Sequence, residues 1–409
     1  MNISLKFGLQ KISLNFPESA RILNTREPEF NIKKDSFFTK FKSLLRGKYG
    51  NFDKIAIVVS DKTRLCDYPI YLPWLTEILL NKGAKEENIT FYIAYGTHSK
   101  QTDSESLASY GNIFKEYSFV HHDCNDFDVF KNIGTTKRGT DILVRKDLLA
   151  SSLIITFGPI SHHYFAGFGG GRKLLFPGLG EKNAIYHNHS LFLDTENKKL
   201  NASCQPGELE GNPVAEDLKE IDHSWPPRLS IFGILNSKGK LNQIYFGKTY
   251  TDFVRVCETY NTYYKSKTQK QFDLVIASSG GYPKDINFIQ AHKSIHHASA
   301  FVKNGGKLII LSKCRDGIGN PSFLELFETK ENQDILFEKL SQKYEGNGGT
   351  ALAMKEKTNR IQIFALTRLD EKECQLLGMK KIDLKEIKNI IKNGNGSIAV
   401  IPNASMLIK

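Results

Sequence analysis

The feature that most constrains this chain is a recurring unit. A short unbroken apolar run is followed by a polar loop and then by a stretch with helical spacing. Lys54–Val59 (KIAIVV) is such a run, Ser60-Asp-Lys-Thr-Arg64 is its loop, and Ile70, Trp74, Leu75, Ile78 and Leu79 are predicted to share one helix face that stops at Gly83. Ile89–Ala94 is the next run and leads into Tyr95-Gly-Thr-His98. Leu153–Phe157 (LIITF) is a third, followed directly by GPISHHYFAGFGGGRK. Strands that are apolar on both faces belong in parallel sheets covered by helices. Ser230–Leu235 and Asn242–Phe246 read as a hairpin around Asn236-Ser-Lys-Gly. The pattern restarts with Leu274–Ala277, an SSGGYPKD turn, a helix over 285–301 and a strand at Lys307–Leu311, and the chain ends on SIAVIP. The expectation is an α/β protein of two doubly wound Rossmann-like domains, with the active site in the cleft between them. The first domain is expected over 1–267 and the second over 268–409. A polar stretch near Tyr260–Gln271 is the predicted connection, and the last strand is a candidate to return to the first domain.

Length and composition agree. The chain has 409 residues, enough for two ordinary domains, with 40% hydrophobic and 24% charged residues. That excludes a disordered chain, a collagen-like fibre and a small disulfide scaffold. No apolar run is long enough to cross a bilayer. MNISLKFGLQKISLNF alternates polar and apolar residues, so it reads as strand rather than signal peptide. A cytoplasmic location is expected. The 56 Lys and Arg against 44 Asp and Glu give +12. This charge is dispersed, and no nucleic-acid motif accompanies it, so the expectation is no nucleic-acid or membrane partner but a small anionic one. Six cysteines without a CxxC pair are predicted to be buried thiols.

The residues that could carry chemistry gather in the loops after the strands. Nine of the eleven histidines fall in four clusters: His121-His122, His162-His163, His187 with His189, and His292 with His296 and His297. Gly167-Phe-Gly169-Gly170-Gly171-Arg172-Lys173 is neither a Walker A loop nor a Rossmann fingerprint. Its glycines nevertheless allow backbone N–H groups to converge on a phosphate, and Arg172 and Lys173 add charge. His187-Asn-His189 has a spacing that suits two ligands on one strand face. Gln290, Lys293 and His297 stand at i, i+3 and i+7, on one face of the second domain's helix. His121-His122-Asp-Cys-Asn-Asp reads as a loop with turn-forming Asp and Asn.

SDKTR, GTH, HYFAG-x-x-GGRK with a downstream Asn-His, and FIQAHKS together resemble the lactate racemase family, nickel-dependent racemases and epimerases of 2-hydroxy acids. The match is collinear over almost the whole chain. The resemblance implies a nickel-pincer nucleotide attached covalently at Lys173, with His189 as nickel ligand. It implies His98 and His163 as acid and base, and Arg64, Gln290 and Lys293 as substrate contacts. Asp61, Thr97, Gly169, Gly170, Gly171 and Arg172 are placed beside the cofactor. Separate biosynthetic proteins are expected to supply that cofactor. The family often has Ser where this chain has Gly169. The implied reaction removes hydride from C2 while a histidine takes the hydroxyl proton; a 2-keto acid then rotates and takes the hydride back. A non-catalytic binding protein for a nucleotide or phosphorylated small molecule is the competing expectation from the glycine loop and basic charge alone.

Overall fold

The computed structural model describes the chain except residues 47–51, 226–227, 320–321 and 329–332. It divides into two compact units. The middle unit comprises Glu27–Leu191 and Glu208–Asn261; the terminal unit comprises Met1–Arg26, Phe192–Gly207 and Thr262–Lys409. The chain therefore passes between the units at four points, where the sequence reading has one boundary near 267. The predicted connection begins inside a helix, Tyr250–Tyr264, that contains one of these points, and its remainder follows that helix.

Among its described residues the middle unit has a six-stranded sheet. In chain order its strands are Ile55–Ser60, Ile89–Ala94, Ser118–His121, Leu153–Pro159, Arg228–Leu235 and Leu241–Gly247. Numbered that way, they lie side by side in the order 6-5-4-1-2-3. All neighbouring pairs are parallel except the last hairpin. This is the doubly wound dinucleotide-fold order, and its reversal point lies between Ile55–Ser60 and Leu153–Pro159. Both strands are buried throughout, which is why they read as unbroken apolar runs. The helix Tyr68–Leu80 packs into the core through Tyr68, Tyr71, Leu72, Leu75, Ile78 and Leu79. Ile70, predicted on that face, is 51% exposed; the buried stripe runs through the tyrosines instead.

Among the described residues the terminal unit has a second six-stranded sheet, parallel at every pairing. The last strand, Ile398–Ile401, pairs with Phe272–Ser278 and Arg21–Ile22. It stays in the terminal unit, and it draws the N-terminal segment there. The opening alternation forms an antiparallel hairpin, Asn2–Phe7 with Gln10–Asn15. All six cysteines are buried free thiols. No helix among the described residues is long and apolar enough to cross a membrane.

Candidate active site

Ligands of open α/β sheets bind beyond the carboxyl ends of the strands at the reversal point. Here those ends are Ser60, continuing to Asp61, and Pro159, continuing to Ser161-His162-His163. Two buried tyrosines fix the first end. Tyr68 accepts from the Ser60 N–H and donates to the Phe157 carbonyl at 2.7 Å, while Tyr110 donates to the Ser60 carbonyl at 2.9 Å. A tyrosine hydroxyl buried in this way both satisfies backbone groups and holds the loop that follows.

Asp61 is 2% exposed and accepts from the Thr63 N–H and hydroxyl. Its other oxygen lies 2.6 Å from His98 Nδ1. Burial pushes the Asp61 carboxyl up. The His98 hydrogen bond and the Arg64 and His98 charges outweigh it and bring it down to about 2. An ionised carboxylate can only accept, so His98 carries a proton on Nδ1, and in the neutral ring it presents an Nε2 lone pair. Thr97 and His98 are exposed at the end of Ile89–Ala94, and the neighbouring Gly96 N–H donates to the Gly178 carbonyl at 2.8 Å.

His163 has the opposite arrangement. It closes a short strand paired with Gly167–Gly169, and the Ala166 N–H donates to its Nδ1 at 3.2 Å. In the neutral ring the proton then sits on Nε2, which makes it a donor. Its neighbour His162 lies with Nε2 2.8 Å from Asn261 Oδ1.

The glycine run needs its glycines. Gly170 and Gly171 have φ of +78 and +53. A Cβ on Gly170 would stand 2.1 Å from the Pro159 carbonyl oxygen, and one on Gly171 2.5 Å from the Phe253 ring. Gly169 is different: a Cβ there would stand 3.2 Å from the Ser161 hydroxyl, its partner across the hairpin. A hydroxyl therefore already stands beside Gly169.

Arg172 and Lys173 diverge within one turn, Gly171–Leu174. Arg172 is 2% exposed, stacked 4.7 Å from the Phe253 ring centroid, and Nε, Nη1 and Nη2 have no hydrogen-bond partner. Half-buried Lys173 has Nζ 5.8 Å from the Phe165 ring centroid. Burial, then the Arg64 and Arg172 charges, hold its ammonium well below its usual range. Phe165 also takes the edge of His189, with centroids 5.0 Å apart. His189 is brought down to about 3 by burial and then by the Lys173 charge, so the imidazole is neutral, the form that ligates metals.

His189 lies on a helix, Lys182–Ser190, not a strand. Two residues apart on a helix point to different sides. His187 is exposed and lies 2.9 Å from the Thr140 hydroxyl, so the two histidines do not form a ligand pair. His121 closes a strand with Nδ1 2.8 Å from the Tyr95 hydroxyl, and His122 is buried with Nε2 donating to the Gly180 carbonyl at 3.0 Å. Among the described residues no group of three or more His, Cys, Asp or Glu could hold a metal ion.

In the terminal unit, Gln290 and Lys293 lie on the helix Phe288–Ser299, and Lys293 donates to the Gln290 side chain at 2.8 Å. His297 turns into the core, 4% exposed, and donates to the Ala404 carbonyl. It does not share the Gln290–Lys293 environment that its spacing suggested.

The model for the lactate racemase N-terminal domain matches residues 37–201, and that for the C-terminal domain matches residues 267–357. The chain belongs to the lactate racemase family. Its relatives in the family include the lactate racemase of Thermoanaerobacterium thermosaccharolyticum, 29% identical over 357 residues, which span 83% of this chain and 81% of that one. The lactate racemase of Lactiplantibacillus plantarum is 30% identical over 295 residues, spanning 69% and 65%. The lactate racemase apoprotein structure from T. thermosaccharolyticum superposes with a TM-score of 0.87 over 100% of this chain and 99% of that one, at 26% identity. A Thermotoga maritima protein, at 15% identity and a TM-score of 0.69, shares the fold.

The middle unit's residues fit the cofactor that the family resemblance implies. A buried guanidinium without an acceptor suits a phosphate, and a backbone loop with positive φ suits it too. A lysine whose ammonium is held well below its usual range suits covalent attachment. One neutral imidazole, outside any group of three or more His, Cys, Asp or Glu among the described residues, suits a metal whose other donors come from the cofactor.

Proposed function

We propose that this chain is an isomerase that racemises lactate or a related 2-hydroxy acid. A nickel-pincer nucleotide attached to Lys173 is the proposed cofactor, with His189 as the protein's nickel ligand. When bound, that group supplies an electrophilic acceptor for the C2 hydride. The remaining chemistry falls to the chain's own residues.

The observation that carries this reading is the opposite polarity of the two histidines. His98 offers a lone pair backed by ionised Asp61, and His163 offers Nε2–H. A hydroxyl proton leaving toward His98 turns it into an imidazolium that Asp61 stabilises. The C2 oxygen on the other side meets a donor at His163. For the opposite enantiomer the roles exchange, and His163 must first release the Ala166 N–H. Arg64, beside Asp61 and close enough to Lys173 to depress its ammonium, is proposed to hold the substrate carboxylate as a fork. Thr97 and the glycine backbone 169–171 are proposed to line the cofactor, with Arg172 on its phosphate. Gln290 and Lys293 are proposed substrate contacts by the motif they share with the family.

The test is conversion of L-lactate to D-lactate, and the reverse, by chain co-produced with the cofactor-building proteins, followed by a screen of other 2-hydroxy acids. Interconversion of at least one pair of enantiomers is expected. A nickel-loaded chain that interconverts none, yet binds a nucleotide tightly, would replace this reading with a binding protein.

A further inference from the structure

The helix that carries His189 is only nine residues long, Lys182–Ser190. A helix that short has little stability of its own and takes its orientation from what grips it. Glu181 caps its start, accepting from the Asn183 and Ala184 N–H groups at 2.8 Å. The grip at its other end comes from a residue outside every motif considered above. Asp217 is 0% exposed and accepts three hydrogen bonds: from Thr136 at 2.5 Å, from Thr140 at 2.8 Å and from Asn188 Nδ2 at 2.8 Å. Asn188 is itself 0% exposed and directly precedes His189. The Thr140 hydroxyl has one hydrogen, spent on Asp217, so His187 Nδ1 donates to Thr140. The same carboxylate thus holds two consecutive residues before His189.

The helix bearing Asp217, Pro213–Ser224, is also tied to the ring beside the imidazole. Its cap residue Asn212 donates to the Phe165 carbonyl at 2.9 Å, and Phe165 is the ring that His189 meets edge-on. One element therefore positions both the helix carrying His189 and the aromatic surface it rests on.

We propose that Asp217 is a positioning residue for His189: through Asn188 it sets the last helical turn so that the imidazole stays directed at nickel. The proposal rests on the assignment of His189 as nickel ligand. It explains why the residue before His189 is an asparagine. A buried carboxylate accepts the Nδ2 hydrogen, and a leucine or alanine there would leave it one donor short and cut its link to the helix. Groups that orient a metal ligand typically change metal retention by about 10–100-fold when lost.

The test is nickel release from holoenzyme challenged with a chelator, read beside the melting midpoint. Asp217→Asn and Asn188→Asp are each expected to release nickel about 10-fold faster or more. The double variant restores an amide–carboxylate pair with the roles exchanged, so its release rate is expected to return toward wild type. Leu218→Ala, on the same helix and 1% exposed, is expected to lower the melting midpoint with unchanged release. Wild-type release in Asp217→Asn, with fast release in His189→Ala, would overturn the positioning role alone. Wild-type release in His189→Ala would overturn the ligand assignment beneath it. If Asp217→Asn does not fold, the double variant decides: slow release supports the role and fast release overturns it.

Discussion

Lys173 and His189 stand against the same ring: Lys173 Nζ lies 5.8 Å from the Phe165 centroid, and the His189 and Phe165 rings meet T-shaped with centroids 5.0 Å apart. The Lys173 charge bears on His189, while Lys173 itself answers to burial and to the Arg64 and Arg172 charges. Both are desolvated, and a cation at 173 opposes one at 189. The consequence is a neutral imidazole and an ammonium that gives up its proton far more readily than an exposed lysine does. Lys173 in the apo chain is therefore expected to react with a limiting amine reagent at pH 7 faster than exposed lysines, and Arg64→Gln is expected to slow it by raising the ammonium's pKa. Peptide mapping checks this. A labelling order that follows exposure alone would contradict it.

Asp61→Asn keeps the shape of the Asp61–His98 pair but offers an amide hydrogen where His98 needs an acceptor. The ring is then free to hold its proton on Nε2, and the base is lost. A fall in kcat of about 100-fold or more is expected, with a smaller change in KM and an unchanged melting midpoint. A wild-type kcat would remove Asp61 from the mechanism.

Arg172→Met separates folding from binding. In the apo chain the guanidinium is buried against Phe253 without an acceptor, an arrangement that costs stability. The variant is expected to melt at a higher temperature than wild type as apoprotein and to retain the nucleotide cofactor less well. A lower melting temperature with undiminished cofactor would assign Arg172 to the core instead.

The terminal unit contains a buried basic cluster. Lys357 bears on His292, His296 and His297, and His297 on the other two histidines, with Lys293, Arg360 and Glu356 the other charged groups nearby. Burial lowers each; His297 comes down to about 4 and Lys357 to about 7. A base whose folded pKa is depressed loses stability as pH falls through its unfolded value. Below the histidine reference of 6.5 the unfolded chain takes protons that the folded chain refuses. The melting midpoint is expected to fall steadily from pH 7 toward pH 4, and Lys357→Met is expected to raise it at pH 7. A midpoint independent of pH between 7 and 5 would contradict the burial of neutral histidines.

Much of this was legible in the sequence because parallel strands buried on both faces leave unbroken apolar runs. The strands ending at Ser60, Ala94 and Leu311 lie where KIAIVV, ITFYIA and KLIIL place them. The unit boundaries were less legible, because the strand Arg21–Ile22 pairs with Ile398–Ile401 across nearly the whole chain, and no local signal records such a pairing. His187-Asn-His189 read as a strand because alternation over three residues cannot distinguish a strand from a helix; Glu181, whose carboxylate caps the helix start, was the available clue. Asp217 could not be found from sequence at all. It sits in an ordinary amphipathic helix, and only the fold brings it to Asn188, Thr136 and Thr140.

The central claim is that Lys173 carries the cofactor on which turnover depends. The most direct test is a peptide mass spectrum across Lys173, with nickel content and lactate racemisation measured on the same co-produced sample. A modified Lys173, about one nickel per chain, and loss of both modification and activity in Lys173→Ala are expected. Full racemisation by a chain whose Lys173 is unmodified would contradict that claim.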